Sequence, residues 1–239
     1  GAYSKVYKFR YNDLPIDSKY VVKKIKVKYL KSFYGDDALA QLKKIFINEL
    51  KALIHLSKIN VSPKIYGYFI DIKHNHMFYI LEKLDLTLGD MLRKGQFKPE
   101  QTKQFIELFE RLIRSKYRHT DLHVENVMYD KKRKIFLLID FGHHKKLSKH
   151  DKNGLYYTIE SNSPVYFLLS KNKQTNQAVL GTAGASALFY VYKYLANNTL
   201  NLDKKSFYYF KKLKQFMKKY LSERQYQKVI AVLDKEIQY

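Results

Sequence analysis

The sequence predicts an α+β fold of two lobes, in which a small strand-rich lobe with one helix precedes a helical lobe with one β-hairpin. Three observations predict it. Strand patterns fill the first third of the 239 residues, apolar residues at helical spacing dominate the rest, and the change falls near Leu84 and Asp85. A chain of this length can form two lobes that share an interface. We therefore expect domains at residues 1–84 and 85–239.

The first lobe is predicted to open with two antiparallel strands. The segments "AYSKVYKF" (2–9) and "YVVKKIKV" (20–27) alternate, and the turn-like "NDLPIDS" joins them. Residues 36–58 repeat apolar side chains at helical spacing and begin with two aspartates, which favour a helix start. The segments "KIYGYFIDI" and "HMFYILEKL" then predict a hairpin, broken by "KHNH".

The second lobe is predicted to be mainly helical. "LTLGDMLRKG" indicates a short helix, and residues 98–117 indicate a long one with Pro99 near its start. "VMYD" and "KIFLLID" form a hairpin around "KKRK", after which the chain is irregular from Gly142 to about Gln177. Three helical segments follow: "GASALFYVYKYLANN", "SFYYFKKLKQFMKKYL" and "SERQYQKVIAVLDKEIQY".

Composition limits the classes of partner and location. The 45 basic and 22 acidic side chains give a net charge of +23, which favours an acidic protein substrate and non-specific polyanion binding. No recognised nucleic-acid motif accompanies the charge. The chain has no apolar run long enough for a membrane span and no apolar signal core, so we expect a soluble protein, cytoplasmic or nuclear, or in a virion. The absence of Cys excludes disulfides and thiolate metal sites, and the oligomeric state stays open.

One short segment, "YRHTDLHVENVMYD" (117–130), collects ionisable and amide side chains. It is either a metal or acid/base site or a satisfied polar turn between two elements. The hairpin that follows ends at Asp140, and since a hairpin brings its ends together, Asp121, Asn126 and Asp140 could converge. Two carboxylates and one amide are an oxygen-only ligand set, which suits Mg²⁺ better than Zn²⁺.

The order of these residues resembles the protein-kinase-like superfamily, whose pattern is His-x-Asp-x-x-x-x-Asn followed by Asp-Phe-Gly. Here "HTDLHVEN" and "DFG" match it. Upstream, "GAYSKVY" resembles the later part of the Gly-rich loop, "YVVKKI" resembles the strand that carries the lysine, and "INELKAL" resembles the helix that carries its glutamate partner. The resemblance runs from residue 1 to about 142 and implies a two-lobed protein-kinase-like fold with a reduced helical C-lobe.

The resemblance implies a role for each matched residue. Lys23 would hold the α- and β-phosphates of ATP, and Glu49 would keep that lysine in place. Asp140 and Asn126 would hold Mg²⁺, while Asp121 would orient the acceptor hydroxyl and accept its proton.

Further residues are implied in nucleotide binding. Backbone amides of the loop would cover the phosphates, and backbone groups of the hinge "ILEKL" would meet adenine, with Leu81 just behind. The loop residues are Gly1, Ala2, Tyr3, Ser4 and Val6, and the hinge residues are Glu82 and Leu84.

Several positions depart from the pattern. Ser4 occupies the place of the third glycine. Thr120 replaces the arginine that grips a phosphorylated activation segment, so we expect activity that does not depend on phosphorylation of residues 143–178. His123 stands where protein kinases usually have a lysine, and the "DLH" form resembles haspin-like kinases and small-molecule kinases of the aminoglycoside and choline type. No Ala-Pro-Glu follows Gly142, and the helical segment 181–195 lacks the aspartate that usually anchors the catalytic loop.

The predicted function is transfer of the γ-phosphoryl group of ATP to Ser or Thr of a protein, with Mg²⁺. The first alternative is a small-molecule kinase of the same fold, which the few acids after Gly142, Asp151 and Glu160 among many lysines, make less favoured. The second alternative is a pseudokinase scaffold that binds a partner through its basic surface. The chain is small and is enriched in Lys, Ile, Tyr and Asn, as an AT-rich coding sequence would produce. In both respects it resembles kinase-like proteins of large DNA viruses.

Overall fold

The computed structural model describes residues 4–8, 10–11, 14–15, 19–26, 35–71, 73–142, 144–146, 187–235 and 237. The chain divides into two compact units. The first unit ends at Leu84 but also includes the short segment that begins at Ile139, and the second unit contains Asp85–Leu138 and the C-terminal part. Strands dominate the first unit and helices the second, so the predicted α+β class is confirmed.

The first unit contains a four-stranded antiparallel sheet in the order β1-β4-β6-β5. Its two predicted strand pairs, the opening pair and the hairpin, are both present. The segment between the opening strands contains a further short pair, β2 with β3, of which only β3 lies within the predicted turn. The strands are β1 (Ser4–Lys8), β2 (Arg10–Tyr11), β3 (Leu14–Pro15), β4 (Tyr20–Lys26), β5 (Ile65–Asp71) and β6 (His76–Glu82).

One helix of the first unit packs on this sheet. Helix α1 (Ala38–Ser57) follows a 3₁₀ turn at Gly35–Asp37. Its buried apolar residues recur at helical spacing and include Leu42 and Phe46, and Phe46 stacks on Tyr79 of β6. Glu49 is buried on the same helix, which is unusual for an unpaired charge and indicates a partner.

The second unit has two small sheets and five α-helices among its described residues. One sheet has the order β10-β9-β7, and the other pairs β11 with β8. The strands are β7 (Leu86–Thr87), β8 (Tyr117–Arg118), β9 (Val127–Asp130), β10 (Ile135–Leu138) and β11 (Lys145–Lys146). The helices are α2 (Leu88–Arg93), α3 (Thr102–Ser115), α4 (Ala187–Leu200), α5 (Lys204–Tyr220) and α6 (Glu223–Lys235), with 3₁₀ turns at Pro99–Gln101 and Val124–Asn126.

Apolar side chains of three helices form the core of the second unit. Phe105, Leu108 and Phe109 of α3 are fully buried, and Phe109 contacts Phe216 of α5 at a ring separation of 6.2 Å. Leu188 of α4 is also buried. No helix in the described part of the chain combines the length and apolar composition that a membrane crossing requires.

The end of strand β10 differs from the prediction. The sequence suggested that the strand continues to Asp140, but pairing stops at Leu138, opposite Val127. Asp140 then has a φ of 66°, in the left-handed region that strands do not use. The chain therefore turns at the predicted magnesium aspartate.

Candidate active site

Three residues form a row across the sheet of the first unit. Lys23 on β4 lies opposite Val6 on β1 and opposite Tyr79 on β6. Directly paired residues of antiparallel strands project from the same face, so these three side chains are neighbours. Val6 is exposed at the edge, whereas Lys23 and Tyr79 are buried.

Lys23 forms a buried ion pair with Glu49 of α1. The Lys23 Nζ lies 2.6 Å from Glu49 Oε1, and the two side chains are 7% and 2% exposed. The same Nζ lies 3.0 Å from Asp140 Oδ1. Burial by itself would lower the pKa of Lys23, but the charges of Glu49 and Asp140 and their hydrogen bonds outweigh it, so the pKa is raised. Lys23 therefore stays protonated at any physiological pH.

Asp140 combines a fixed backbone with an accessible carboxylate. Phe141, the next residue, is fully buried and anchors the turn. The Asp140 side chain is 36% exposed although one of its oxygens contacts Lys23. A carboxylate with one side toward solvent can accept a cation there. The structure thus brings together three predicted site residues, Lys23, Glu49 and Asp140.

Tyr79 adds a polar group beside this ion pair that the sequence prediction did not include. Its ring stacks on Phe46 at a separation of 4.6 Å, and its hydroxyl donates to the Phe46 carbonyl at 2.8 Å. Burial and the negative charge of Glu49 raise the pKa of Tyr79, so the hydroxyl remains a donor. A tyrosine in an alternating strand has no signal that separates it from ordinary core, which is why the sequence did not single it out.

Of the other predicted nucleotide-binding residues, Ser4, Glu82 and Leu84 are described by the structure and lie apart from this ion pair. Ser4 is half-buried on β1, and the residues before it, Gly1, Ala2 and Tyr3, lie outside the described part of the chain. Glu82 ends β6, where its backbone N–H donates to the Lys64 carbonyl and its carboxylate accepts from the Lys64 N–H. Leu84 is half-buried at the end of the first unit.

In the second unit, Asn126 holds the exposed carboxylate of Asp121. The Asn126 Nδ2 donates to the Asp121 backbone carbonyl at 2.8 Å and to Asp121 Oδ2 at 3.2 Å. Asn126 is buried, whereas the side chain of Asp121 is 63% exposed. Both bonds use the amide nitrogen, so neither engages the amide oxygen that a magnesium ion would require.

Two histidines fix the backbone of this loop. His119 Nδ1 accepts from the Asp121 N–H, and His123 Nδ1 accepts from the Glu125 N–H, each at 3.2 Å. An imidazole nitrogen that accepts a hydrogen bond is unprotonated, so the neutral ring carries its proton on Nε2. In His123 this Nε2 lies 3.5 Å from Asp121 Oδ2, where its N–H faces the predicted catalytic carboxylate.

Glu125 ties the same loop to helix α2. Its carboxylate accepts from Thr87 Oγ1 at 2.8 Å and from Arg93 Nη1 at 2.7 Å. Gly89 lies directly beneath it, because a Cβ added at Gly89 would be 2.2 Å from Glu125 Oε1. No local sequence pattern predicts this contact, because its partners are far apart in the chain.

The loop is also anchored by a helix start. The backbone N–H of Ala187, the first residue of α4, donates to the Leu122 carbonyl at 3.0 Å. The sequence lacks an anchoring aspartate at this helix, and a main-chain amide makes the contact here. The interpretation as a satisfied polar turn therefore holds for His119, His123 and Glu125, while Asp121 keeps an exposed carboxylate.

Few side chains in the described regions are grouped so that they could serve as ligands of a metal ion. In the regions that the structure describes, no group of three or more His, Cys, Asp or Glu side chains is arranged to hold a metal ion. The Asp140 carboxylate and the Asn126 amide oxygen are hard donors of the kind that Mg²⁺ accepts, with water and phosphate completing its shell. The two residues belong to different units.

Comparison with known proteins supports the predicted family. The model of the ABC1 atypical kinase-like domain matches residues 86–163. The chain has a protein-kinase-like fold. The kinase-like match covers the loop with Asp121 and Asn126 and the turn with Asp140, although it spans less than half of the 239 residues. It supports a kinase-like function of the phosphotransferase class. None of the curated proteins compared with the chain matches it.

Proposed function

We propose that the chain is a protein kinase that transfers the γ-phosphoryl group of ATP, with Mg²⁺, to Ser or Thr hydroxyls. The observation that carries this proposal is the buried ion pair of Lys23 with Glu49, shared with Asp140. A buried, permanently charged lysine beside an accessible carboxylate is expensive to maintain for stability alone. It is well suited to bind phosphate next to a cation.

The residues of the chain would act by positioning and charge. Lys23 would bind the α- and β-phosphates while Glu49 fixes its ammonium group. Asp140 and Asn126 would supply oxygen ligands to Mg²⁺, which neutralises phosphate charge when bound. Asp121 would accept the hydrogen bond of the acceptor hydroxyl and take its proton as the oxygen attacks phosphorus. Asn126 donates to the Asp121 carboxylate, and His123 Nε2 lies 3.5 Å from the same carboxylate oxygen.

The proposed acceptor is a protein, and an acidic one is favoured by charge. The net charge of +23 attracts acidic surfaces, and helix α5 contributes seven lysines and no acidic residue. A cationic metabolite would be repelled by the same field. A small-molecule acceptor and a non-catalytic scaffold remain as outcomes of the test below.

The proposed activity does not depend on phosphorylation of the chain itself. Thr120 has no guanidinium group that could bind a phosphate on the following segment. Residues 147–178 of that segment lie outside the described part of the chain. Treatment with a phosphatase is expected to leave the turnover rate unchanged, and a large loss of rate would contradict this.

The test is a transfer assay with purified protein, Mg²⁺ and γ-labelled ATP, with and without a mixture of acceptor proteins. Wild type is compared with Asp121→Asn and Asp140→Ala. Asp121→Asn keeps the size and polarity of the side chain but removes the base, so we expect ATP binding to persist and transfer to fall by at least about 100-fold. Asp140→Ala is expected to lose transfer and magnesium-dependent ATP binding.

The outcomes separate the alternatives. Label in protein that is lost in both variants supports the proposed function. ATP consumption or binding without labelled protein would instead require a screen of small-molecule acceptors. Absence of ATP binding and of transfer would overturn the proposal in favour of a scaffold.

A further inference from the structure

Tyr79 is a buried polar residue that the proposed chemistry does not use. It is fully buried on β6 and lies directly opposite Lys23 on β4. A core position of this kind is ordinarily apolar, because a buried hydroxyl must find a hydrogen-bond partner to avoid a penalty. Here the partner is the backbone of helix α1, the helix that carries Glu49.

Two contacts join Tyr79 to Phe46 of that helix, and its hydroxyl also interacts with the Glu49 carboxylate. The ring of Tyr79 is parallel to that of Phe46, with an interplanar angle of 5°, and its hydroxyl donates to the Phe46 carbonyl. The ring contact restricts the separation of helix and strand. The hydrogen bond restricts the rotation and sliding of the helix, because it requires one particular carbonyl at 2.8 Å.

Phe46 and Glu49 lie one helical turn apart on the same face of α1. A helix fixed at Phe46 is therefore also fixed at Glu49. The Lys23–Glu49 contact of 2.6 Å requires such accuracy, since a shift of about 1 Å would lengthen it beyond hydrogen-bond range.

We propose that Tyr79 is a positioning residue: its hydroxyl holds helix α1 where Glu49 meets Lys23, and thereby sets the affinity of the chain for the phosphates of ATP. The first half of this statement concerns only the first unit and stands on its contacts. The second half rests on the proposed function.

The test uses Tyr79→Phe, which keeps the stacked ring and removes only the hydroxyl. The matched control is Tyr192→Phe, because Tyr192 is also fully buried and donates its hydroxyl to Asp234 in the second unit. One readout is the rate at which acetic anhydride acylates Lys23 in the folded full-length protein, followed by digestion and mass spectrometry of the peptide that contains Lys23. The other is the affinity for ATP with Mg²⁺.

Loss of one buried hydrogen bond corresponds to a change of roughly 3-fold to 10-fold in an equilibrium constant. In Tyr79→Phe we expect Lys23 to be acylated faster by this factor, because a loosened ion pair exposes and deprotonates its amine more often. We expect ATP affinity to fall by a similar factor. Tyr192→Phe is expected to lose stability without a change in either readout.

Equal acylation of Lys23 in the two variants would overturn the proposal and leave Tyr79 a structural residue. If wild type binds no ATP, the proposed function fails while the acylation comparison still decides whether Tyr79 positions the ion pair. Faster acylation with unchanged ATP affinity would refute the second half of the proposal alone.

Discussion

At the scale of the residue, the site depends on an ion pair that is buried inside the first unit. Glu49 is 1% exposed and Lys23 is 6% exposed. Two buried charges stabilise one another only while both are present, because each carries a desolvation cost that its partner offsets. The pair should therefore behave very differently when one member or both are removed.

We expect Lys23→Met to lower the free energy of unfolding by about 3–5 kcal/mol, since it leaves the Glu49 carboxylate buried without its main partner. Lys23→Met combined with Glu49→Leu should recover more than half of this loss and still bind no ATP. Urea unfolding of the two single variants and the double variant measures the cycle. A double variant no more stable than Lys23→Met would contradict the buried pair.

The contribution of the charged Lys23 to stability depends on pH with a definite sign. The pKa of Lys23 is raised above its ordinary 10.5, so its contribution to stability is complete below that pH and is lost only as the pH rises through the folded value. The cost of Lys23→Met should therefore be the same at about pH 6 and about pH 9. A cost that shrinks over this range would show that Lys23 titrates there.

At the scale of the element, the loop that carries Asp121 is held by its neighbours rather than by its own turn. Glu125 contacts helix α2 through Thr87 and Arg93, and the α4 N-terminus contacts Leu122. Exposed ion pairs such as Glu125 with Arg93 contribute little alone. Their value here lies in fixing the 3₁₀ turn that ends at Asn126.

Gly89→Ala tests this contact, because helix propensity and packing predict opposite signs. Alanine in a helix favours folding by about 0.5–1 kcal/mol relative to glycine. Its Cβ would lie 2.2 Å from Glu125 Oε1, so the carboxylate must move away from Thr87 and Arg93, and we expect a small net loss of stability in place of that gain. Urea unfolding measures the change.

The control for Gly89→Ala is the same substitution in a Glu125→Ala background. Without the carboxylate the clash is absent, and the alanine should be neutral or stabilising there. A gain in stability from Gly89→Ala in the otherwise wild-type chain would contradict the close contact between Gly89 and the Glu125 carboxylate.

The sequence predicted elements better than contacts. Helices α1 and α3 and both hairpins follow from local periodicity, and the resemblance to kinase motifs predicted the contact between Lys23 and Glu49. The short pair β2–β3 was missed because proline and aspartate in this segment resemble a turn. Thr87, Gly89 and Arg93 were missed for another reason: they meet Glu125 across more than 30 residues of chain, as with the Arg93 contact at a separation of 32, and no local pattern encodes that.

At the scale of the whole molecule, positive charge is the dominant property. Helix α5 presents lysines along its solvent side, and several of them lie over aromatic rings, among them Lys211 over Phe207 at 4.3 Å and Lys212 over Tyr208 at 5.5 Å. These contacts hold the side chains extended along the helix surface. This positive charge should attract acidic partners over distances up to the electrostatic screening length, which the salt concentration sets.

If the proposed kinase activity holds, the KM for an acidic acceptor protein should rise several-fold between about 50 mM and about 200 mM salt. The KM for a neutral acceptor should change little, which makes it the control. Lys211→Glu with Lys212→Glu should weaken the salt dependence. Steady-state kinetics at the two salt concentrations measure this, and an identical response of both acceptors would contradict a role for surface charge.

The row of Val6, Lys23, Tyr79 and Tyr68 across four strands also limits how this chain can change in length. Strand side chains alternate between faces, so deletion of one residue within β4 before Lys23 would turn the lysine to the opposite face. Deletion of two residues would restore the face while shifting the register. Natural or engineered variants of the first unit should therefore tolerate length changes in the connections between strands, and in β4 itself only in steps of two.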